Sequence, residues 1–268
     1  HRGYGDANVY AGDASHGTHV SGIIGAVRNN GVGIDGVATD VQIMSVRAVP
    51  NGDEYDKDVA NAIRYAVDNG ARVINMSFGK TYSPHKAGVD AAFQYAADNG
   101  VLVVHAAGNA ATDIDLEPHY PNPDRLNGQV IPSWITVGAS SAFHSEALPA
   151  AFTNYGKRSV DLFAPGVDLL STVPTGNQYD TYSGTSMATP VVAGVAALVL
   201  SQFPHFSAGA LGSLLIESVR DRMALPVLLP GSGPDQQNFV RFDRLSKTGG
   251  VVDAYSALRK AGLGNRLP

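Results

Sequence analysis

The chain has 268 residues, 44% of them hydrophobic and 16% charged, which is enough for one large or two small domains and unlike a disordered chain. Its net charge of −5 argues against nucleic acid as a partner. The absence of cysteine excludes disulfides and thiolate metal sites, and no apolar run has the length of a membrane span.

The pattern of apolar residues divides the chain into alternating helices and strands. Residues 56–68, for example, carry apolar side chains at helical spacing, and Asn69–Gly70 supplies a stop signal. Helices are predicted over residues 16–28, 56–68, 88–98, 207–219 and 252–260, and in the apolar run after Ser186. Strands are predicted over residues 41–46, 73–77, 101–105, 135–139 and 160–164. Residues 222–247, with Pro226, Pro230 and Pro234, are predicted to form an irregular surface excursion.

This alternation indicates an α/β domain with a largely parallel sheet flanked by helices. We find no convincing internal repeat or domain boundary. In open parallel sheets, ligands bind beyond the C-terminal ends of the strands. Two polar segments lie at such ends, Ser77–Gly79 and Ala106–Asn109. We therefore expect functional residues in these two segments.

Residues 184–190 form a turn of small residues, Gly-Thr-Ser-Met-Ala-Thr-Pro, that leads into an apolar helix. Pro190 fits the first turn of that helix, where its missing N–H is not needed. The helix is apolar on every face, as in the core of a sizeable domain, and is too short and too rich in Gly and Ala for a membrane span. Ser186 is either the N-cap of this helix or a nucleophile in the positive field of its N-terminus.

Two further residues favour the nucleophile. Acyl transfer by a serine requires a base within hydrogen-bond reach of the hydroxyl and a donor directed at the oxyanion. Histidine is the natural base because its pKa is near neutrality, and His16 opens a glycine-rich predicted helix. The side-chain amide of Asn109, just after a predicted strand, can serve as the donor.

Three motifs resemble those of the subtilisin family of serine endopeptidases: His16–Gly22 (HGTHVSG), Ala107–Asn109 (AGN) and Gly184–Pro190 (GTSMATP). They occur in the family's order and at similar separations. The resemblance runs from about residue 13 to residue 261, with secondary matches at residues 73–79, 160–166 and 249–254. It implies a three-layer subtilisin-like α/β fold with a mostly parallel sheet between helices.

The resemblance also implies roles for individual residues. His16 would be the general base, Ser186 the nucleophile and Asn109 an oxyanion donor, with the backbone N–H of Ser186 as the second donor. Two segments would hold the substrate residue before the scissile bond: Met76, Ser77, Phe78 and Gly79 on one side, and Ala106, Ala107 and Gly108 on the other. An extended peptide would pair with the edge at residues 77–79. Phe78 is bulkier than the small aliphatic residue expected there, which would reshape the neighbouring pocket.

The third member of the family's triad is an aspartate on the first strand, before the histidine motif. Asp6 and Asp13 are the only acids before His16, and neither follows an apolar run or precedes Ser/Thr-Gly. Asp13 is three residues from His16, whereas the orienting acid should approach from a separate strand. We therefore predict that the triad aspartate lies upstream. Residues 1–15 would then end an insertion or linker, and residues 16–262 would form a subtilase catalytic domain without its first strand or strands.

The same reasoning gives an expectation for the isolated chain. Loss of the triad aspartate alone costs roughly 3 × 10⁴ in kcat in subtilisin itself, from which this magnitude is taken. Loss of its strand would also expose a sheet edge and core surface. We expect the 268-residue chain by itself to be poorly folded and nearly inactive.

Two functions are weighed against a serine endopeptidase. A non-catalytic subtilase-like domain that binds peptides or a partner is favoured by the missing aspartate and opposed by the joint presence of His16, Asn109 and Ser186. An α/β-hydrolase esterase is disfavoured because Ser186 lacks a Gly-x-Ser-x-Gly elbow and His16 precedes it in the chain.

No cofactor is needed for the predicted chemistry, and no metal site is assigned. His19 is three residues from His16, but this pair lacks a Glu and a third ligand, so His19 is predicted to be a hydrogen-bonded structural residue. His105 is predicted to be a core or pocket-wall histidine. Family members bind calcium in loops, but no run here has EF-hand-like spacing, which leaves structural calcium unsupported. The expected partner is a polypeptide substrate. The resemblance suggests export to the cell envelope or medium, and the oligomeric state stays open.

Overall fold

A computed structural model describes residues 12–38, 40–49, 52–174, 178–233, 235 and 237–264 of the protein. Its helices are α1 (Ser15–Gly25), α2 (Asp56–Asp68), α3 (Lys86–Asp98), α4 (Thr185–Gln202), α5 (Ala208–Glu217) and α6 (Ala254–Gly264), with a 3-10 turn at Phe242–Arg244. Its strands are β1 (Val73–Met76), β2 (Leu102–Ala106), β3 (Trp134–Ser140), β4 (Leu162–Pro165), β5 (Leu169–Thr172), β6 (Tyr179–Tyr182), β7 (Arg220–Asp221), β8 (Pro226–Leu228), β9 (Phe239–Arg241) and β10 (Gly250–Val251).

Within the described residues, six strands form the central sheet in the order β1-β2-β3-β4-β10-β7. All neighbours are parallel except β7, which is antiparallel to β10. Two hairpins, β5–β6 and β8–β9, lie outside this sheet. The predicted α/β architecture with a mainly parallel sheet is therefore confirmed.

Helices cover both faces of the sheet, because successive side chains along a strand point to opposite faces. Leu102 and Val104 of β2 pack with α4, α5 and α6 in one core cluster. Val103, between them, packs with α2 and α3 in a second cluster on the other face. These three layers place the C-terminal ends of β1 and β2 beside the start of α4, which runs through the larger cluster.

The strand predicted over residues 41–46 was wrong. This segment has no regular secondary structure, and its apolar side chains Ile43 and Met44 are 44% and 40% exposed. Alternation of apolar and polar residues only matches the pleat of a strand, and a strand also needs a neighbour that accepts and donates its backbone hydrogen bonds. Within the described ranges, no strand lies beside this segment. The strand at one edge of the described sheet is β1, which is paired with β2.

The description of residues 222–247 as a surface excursion was also wrong in part. The segment contains the β8–β9 hairpin and the 3-10 turn. Val227, Phe242 and Leu245 are buried and form a third apolar cluster with Phe163 of β4. Pro226 begins β8 and Pro230 lies in a turn, and the apolar side chains of the segment extend the core.

Helix α4 begins before Ser186 and has 18 residues, so Pro190 is its sixth residue and lies beyond the first turn. At this length α4 is the one described helix that is long and apolar enough to cross a membrane, contrary to the prediction that it is too short. Buried residues make up 61% of it, which is the pattern of a core helix.

Candidate active site

Ser186 is the second residue of α4 and is half-buried. The N-cap position is held by Gly184, and no side chain caps the helix. The hydroxyl of Ser186 instead donates a hydrogen bond to the carbonyl oxygen of Ser77, 3.1 Å away, just beyond the end of β1. The interpretation of Ser186 as an N-cap is therefore wrong, and its hydroxyl faces the end of the sheet.

Pro190 explains why Ser77 and Ser186 are joined a second time. In an α-helix the carbonyl of Ser186 would accept from the N–H of residue 190, which proline lacks. The hydroxyl of Ser77 takes that place and donates to the Ser186 carbonyl at 2.8 Å. The side chain of Asn75 donates to the same hydroxyl at 3.0 Å. The end of β1 and the start of α4 are thus fixed to each other by a reciprocal pair of hydrogen bonds.

Asn109 is held in a single amide orientation by Thr185. The Oδ1 atom of Asn109 accepts from the backbone N–H of Thr185 at 2.8 Å and from its hydroxyl at 2.9 Å. A backbone N–H can only donate, so the atom that faces it must be the oxygen of the amide. The Nδ2 group of Asn109 is therefore turned away from Thr185 and is available as a donor.

The two predicted oxyanion donors border one space. A Cβ atom placed on Gly184 would lie 3.5 Å from Nδ2 of Asn109 and 3.6 Å from the backbone nitrogen of Ser186. Gly184 has no side chain, so this space is free for an oxygen atom. Two N–H groups and the N-terminus of α4 would stabilise negative charge there.

Asn154 holds the segment that carries Asn109. It is buried, and its Nδ2 donates to the carbonyl of Ala107 at 2.8 Å while its Oδ1 accepts from Ala110 N–H at 2.9 Å. Gly108 between them has a φ of 103°, and a Cβ atom there would lie 2.3 Å from Nδ2 of Asn154. Glycine is required at this position because of both the backbone conformation and the close approach.

His16 lies near the start of α1, which packs against the start of α4. Val20 and Ile23 of α1 form an apolar cluster with Met187, the residue after Ser186. His16 is one helical turn before Val20 and so lies on the same face of α1. In the part of the chain described, the Ser186 hydroxyl has Ser77 as its partner and no hydrogen bond joins it to His16.

The imidazole of His16 is accessible but partly desolvated by its surroundings. This desolvation lowers the pKa of His16 below its ordinary value, repulsion from His19 acts in the same direction, and Asp13 partly opposes both. A histidine with a lowered pKa is neutral at pH 7 and able to accept a proton. The electrostatics of the site therefore suit a general base.

The carboxylate of Asp13 is hydrogen-bonded within its own turn. Its Oδ1 accepts from the backbone N–H of Ser15 at 2.8 Å, and hydrogen bonds from Ser15 keep the pKa of Asp13 below its usual range. This is a local contact before the first turn of α1. Asp6 lies outside the described residues.

His19 and His105 behave as predicted. His19 is fully buried, stacks on Tyr182, and has Nε2 3.0 Å from the carbonyl oxygen of Leu169. His105 is buried, and its Nε2–H donates to the carbonyl of Phe78 at 2.9 Å. Burial lowers the pKa of His105 to about 3, so it is neutral. Both are structural residues.

These geometries point to a serine hydrolase, and a sequence comparison decides the family. The profile of the subtilase family, Peptidase S8, matches residues 2–242. The chain belongs to the subtilase family. The resemblance carried by the three motifs is thus confirmed.

Individual subtilases show the same relationship. A thermophilic serine proteinase from Bacillus sp. strain AK1 is 45% identical over 190 residues, which cover 70% of this chain and 43% of that protein. Thermitase from Thermoactinomyces vulgaris is 42% identical over 188 residues, covering 70% of this chain and 61% of thermitase. The chain spans about half the length, or less, of several relatives, including 50% of a thermostable alkaline protease from Halalkalibacterium halodurans.

Solved structures confirm the fold. A protease from Pseudoalteromonas arctica PAMC 21717 matches with a TM-score of 0.73 and 29% identity, covering 92% of this chain and 70% of the other. A cold-adapted subtilisin-like serine proteinase matches with a TM-score of 0.65 and 32% identity, covering 89% and 72%. The subtilase fold was therefore predicted correctly from the motifs.

The predicted substrate segments lie at the C-terminal ends of β1 and β2, and Ser77 of the first segment contacts Ser186. The side chains of Met76, Ala106 and Ala107 are buried in the core. Phe78 is half-buried and packs against the cluster of α2 and α3. Gly79 and Gly108, which end the two segments, have no side chains, so a substrate would meet mainly the backbone of these segments.

Sequence reasoning missed the residues that orient the site. Thr185 and Asn154 act through hydrogen bonds to Asn109 and to the backbone around it, and the hydroxyl of Ser77 acts through the carbonyl of Ser186. Thr185 adjoins Ser186 in the motif, which was a usable signal. Asn154 had none, since it lies far from the motifs in sequence.

Thr185 offers a test of how Asn109 is oriented. Thr185→Val removes the hydroxyl that donates to Oδ1 of Asn109 and accepts from the N–H of Gly108 at 3.1 Å. We expect kcat for peptide hydrolysis to fall about fivefold to tenfold with little change in KM, since one hydrogen bond is worth about 1 kcal/mol. Thr185→Ser retains the hydroxyl and should stay within about twofold of the parent. Equal rates for both variants would contradict this role.

Proposed function

We propose that the protein is a serine endopeptidase that hydrolyses peptide bonds through an acyl-enzyme intermediate. The single observation that carries the proposal is the arrangement at the start of α4. There Nδ2 of Asn109 and the backbone N–H of Ser186 border the space beside Gly184, and the Ser186 hydroxyl lies at the same helix start, where it donates to the carbonyl of Ser77. Membership of the subtilase family supports the same chemistry.

In the proposed reaction, Ser186 must first leave its hydrogen bond to Ser77, which requires only rotation of its side chain. Its Oγ then attacks the carbonyl carbon of the substrate while His16 accepts the hydroxyl proton. The resulting oxyanion would accept from Nδ2 of Asn109 and from the N–H of Ser186. His16 returns the proton to the leaving amine, and water hydrolyses the ester in the same way.

We propose that residues 76–79 and 106–108 bind the substrate residue before the scissile bond. A peptide in extended conformation would lie along the backbone of Ser77–Gly79 by β-augmentation. The Ser77 carbonyl, released when Ser186 rotates, then becomes free to accept from the peptide. No cofactor takes part in this chemistry. From its membership of the subtilase family, we propose that the protein is exported.

The function is tested by reaction with a serine-directed fluorophosphonate. With the protein as expressed from its gene, we expect labelling of Ser186 together with cleavage of a denatured protein substrate. Both should be lost in Ser186→Ala and retained in Ser183→Ala, whose exposed hydroxyl contacts Asp168. A folded protein that binds peptides but is neither labelled nor active would instead support the non-catalytic alternative.

The lowered pKa of His16 predicts the acid limb of the pH profile. The base must be neutral, so activity is complete above its pKa and is lost as the pH falls through it. Desolvation and His19 act to lower the midpoint of kcat/KM, whereas the triad aspartate predicted upstream would act to raise it. Asp13 raises this pKa, so Asp13→Asn should move the midpoint to lower pH, while Asp98→Asn on α3 should not. A midpoint that does not move in Asp13→Asn would contradict the prediction.

A further inference from the structure

His119 lies between the two proposed substrate segments. A Cβ atom on Gly79 would be 2.3 Å from Nε2 of His119, and one on Gly108 would be 3.1 Å from the same nitrogen and 3.2 Å from Cε1. One edge of the imidazole therefore contacts both glycines, one on each segment. The ring bridges the gap into which a substrate side chain would enter.

The backbone fixes His119 in this position. Its neighbour Tyr120 exchanges two hydrogen bonds with Lys80, the residue after Gly79, with both N···O distances at 2.8 Å. The side chain of Asn122 also donates to the carbonyl of His119 at 3.1 Å. Displacement of the imidazole by a substrate would have to break these contacts or turn the ring away from both glycines.

The ring is half-buried, and burial lowers the pKa of His119, so it is neutral at pH 7. The His105 ring lies on its inner side, with the ring centroids 6.2 Å apart. His105 is itself held by the carbonyl of Phe78 and by contact with the ring of Trp134. The imidazole of His119 therefore has a packed wall behind it.

We propose that His119 determines the specificity of this site by restricting the substrate residue before the scissile bond to compact side chains such as alanine or serine. The inference rests on the proposed function. Gly79 and Gly108 leave room between the two segments, and the imidazole fills that room. A phenylalanine or tyrosine side chain would meet the edge of the ring, whereas a methyl or hydroxymethyl group would not reach it.

The proposal is tested with peptides that differ only in the residue before the cleaved bond. We expect the parent enzyme to have a higher kcat/KM for alanine than for phenylalanine. In His119→Ala, the phenylalanine-to-alanine ratio of kcat/KM should rise about tenfold or more, because steric exclusion in a pocket is worth factors of this size. His119→Gln keeps a side chain of similar length, and its ratio should stay within about threefold of the parent.

Several readouts separate specificity from structural damage. A purely structural role would lower kcat/KM for both peptides alike and leave the ratio unchanged, which would overturn the proposal. So would a parent enzyme that prefers phenylalanine. Thermal unfolding and fluorophosphonate labelling of each variant establish that the protein is folded with a competent Ser186. If the parent is neither labelled nor cleaves any peptide, the proposed function fails, and this inference with it.

Discussion

Ser186→Ala, in the protein as expressed from its gene, is expected to lower kcat for peptide hydrolysis by about 10⁶, and His16→Ala by a similar factor; both magnitudes are taken from subtilisin, a member of the same family. The hydroxyl is the nucleophile, and without a base it remains protonated. The two residues act on the same proton, so removing either one disables the pair. The double variant should therefore be no slower than Ser186→Ala alone.

The measurement is kcat with a chromogenic peptide. Active-site titration of the parent enzyme gives the concentration of active sites, from which its kcat is calculated. Ser183→Ala and His144→Ala serve as matched controls, since both residues are exposed and should leave kcat unchanged. Circular dichroism and thermal unfolding should show that each variant is folded. Additive losses in the double variant would indicate that Ser186 and His16 act separately, and would contradict the proposed mechanism.

The sequence predicted best those elements whose signals are local. Helix α2 was found with its observed bounds, because residues 56–68 combine apolar spacing with a stop at Asn69–Gly70. The end of α1 was misplaced at residue 28 instead of Gly25. There the returning chain donates to the carbonyls of Ile23 and Ala26, so the helix ends before the Asn-Asn-Gly signal. The helix therefore ends because of hydrogen bonds from a later segment of the chain, which the local sequence pattern does not indicate.

The same distinction applies to the site. Ser186 and Asn109 carry chemistry that is visible in residue type, and each lies in a short motif. The contacts that orient them join residues far apart in sequence, such as Asn154 with Ala107 and Ser77 with the carbonyl of Ser186. His119 belongs to this group, because its role depends on its position between Gly79 and Gly108. The family could thus be predicted from the motifs, whereas the position of His119 between the two glycines is visible only in the folded structure.

Asn109→Leu is expected to lower kcat by about 10² to 10³ while KM stays within about twofold; the magnitude is that of the oxyanion asparagine in subtilisin. Nδ2 of Asn109 borders the space beside Gly184, where the substrate oxygen becomes negatively charged only in the transition state. The affinity of the enzyme for the substrate in the ground state is therefore little changed. This donor should contribute about 3 to 4 kcal/mol to transition-state stabilisation.

The variant also removes the acceptor used by both the N–H and the hydroxyl of Thr185, which are buried. Stability should therefore fall by about 1–3 kcal/mol, and this effect must be separated from catalysis. A peptide boronate, which mimics the tetrahedral intermediate, distinguishes the effect on catalysis from the effect on stability. If Asn109 is an oxyanion donor, boronate affinity should fall by a factor close to the loss in kcat/KM, while affinity for a substrate-like product peptide is unchanged. If Asn109 only supports Thr185, both affinities should fall together, and Thr185→Val should reproduce the full loss.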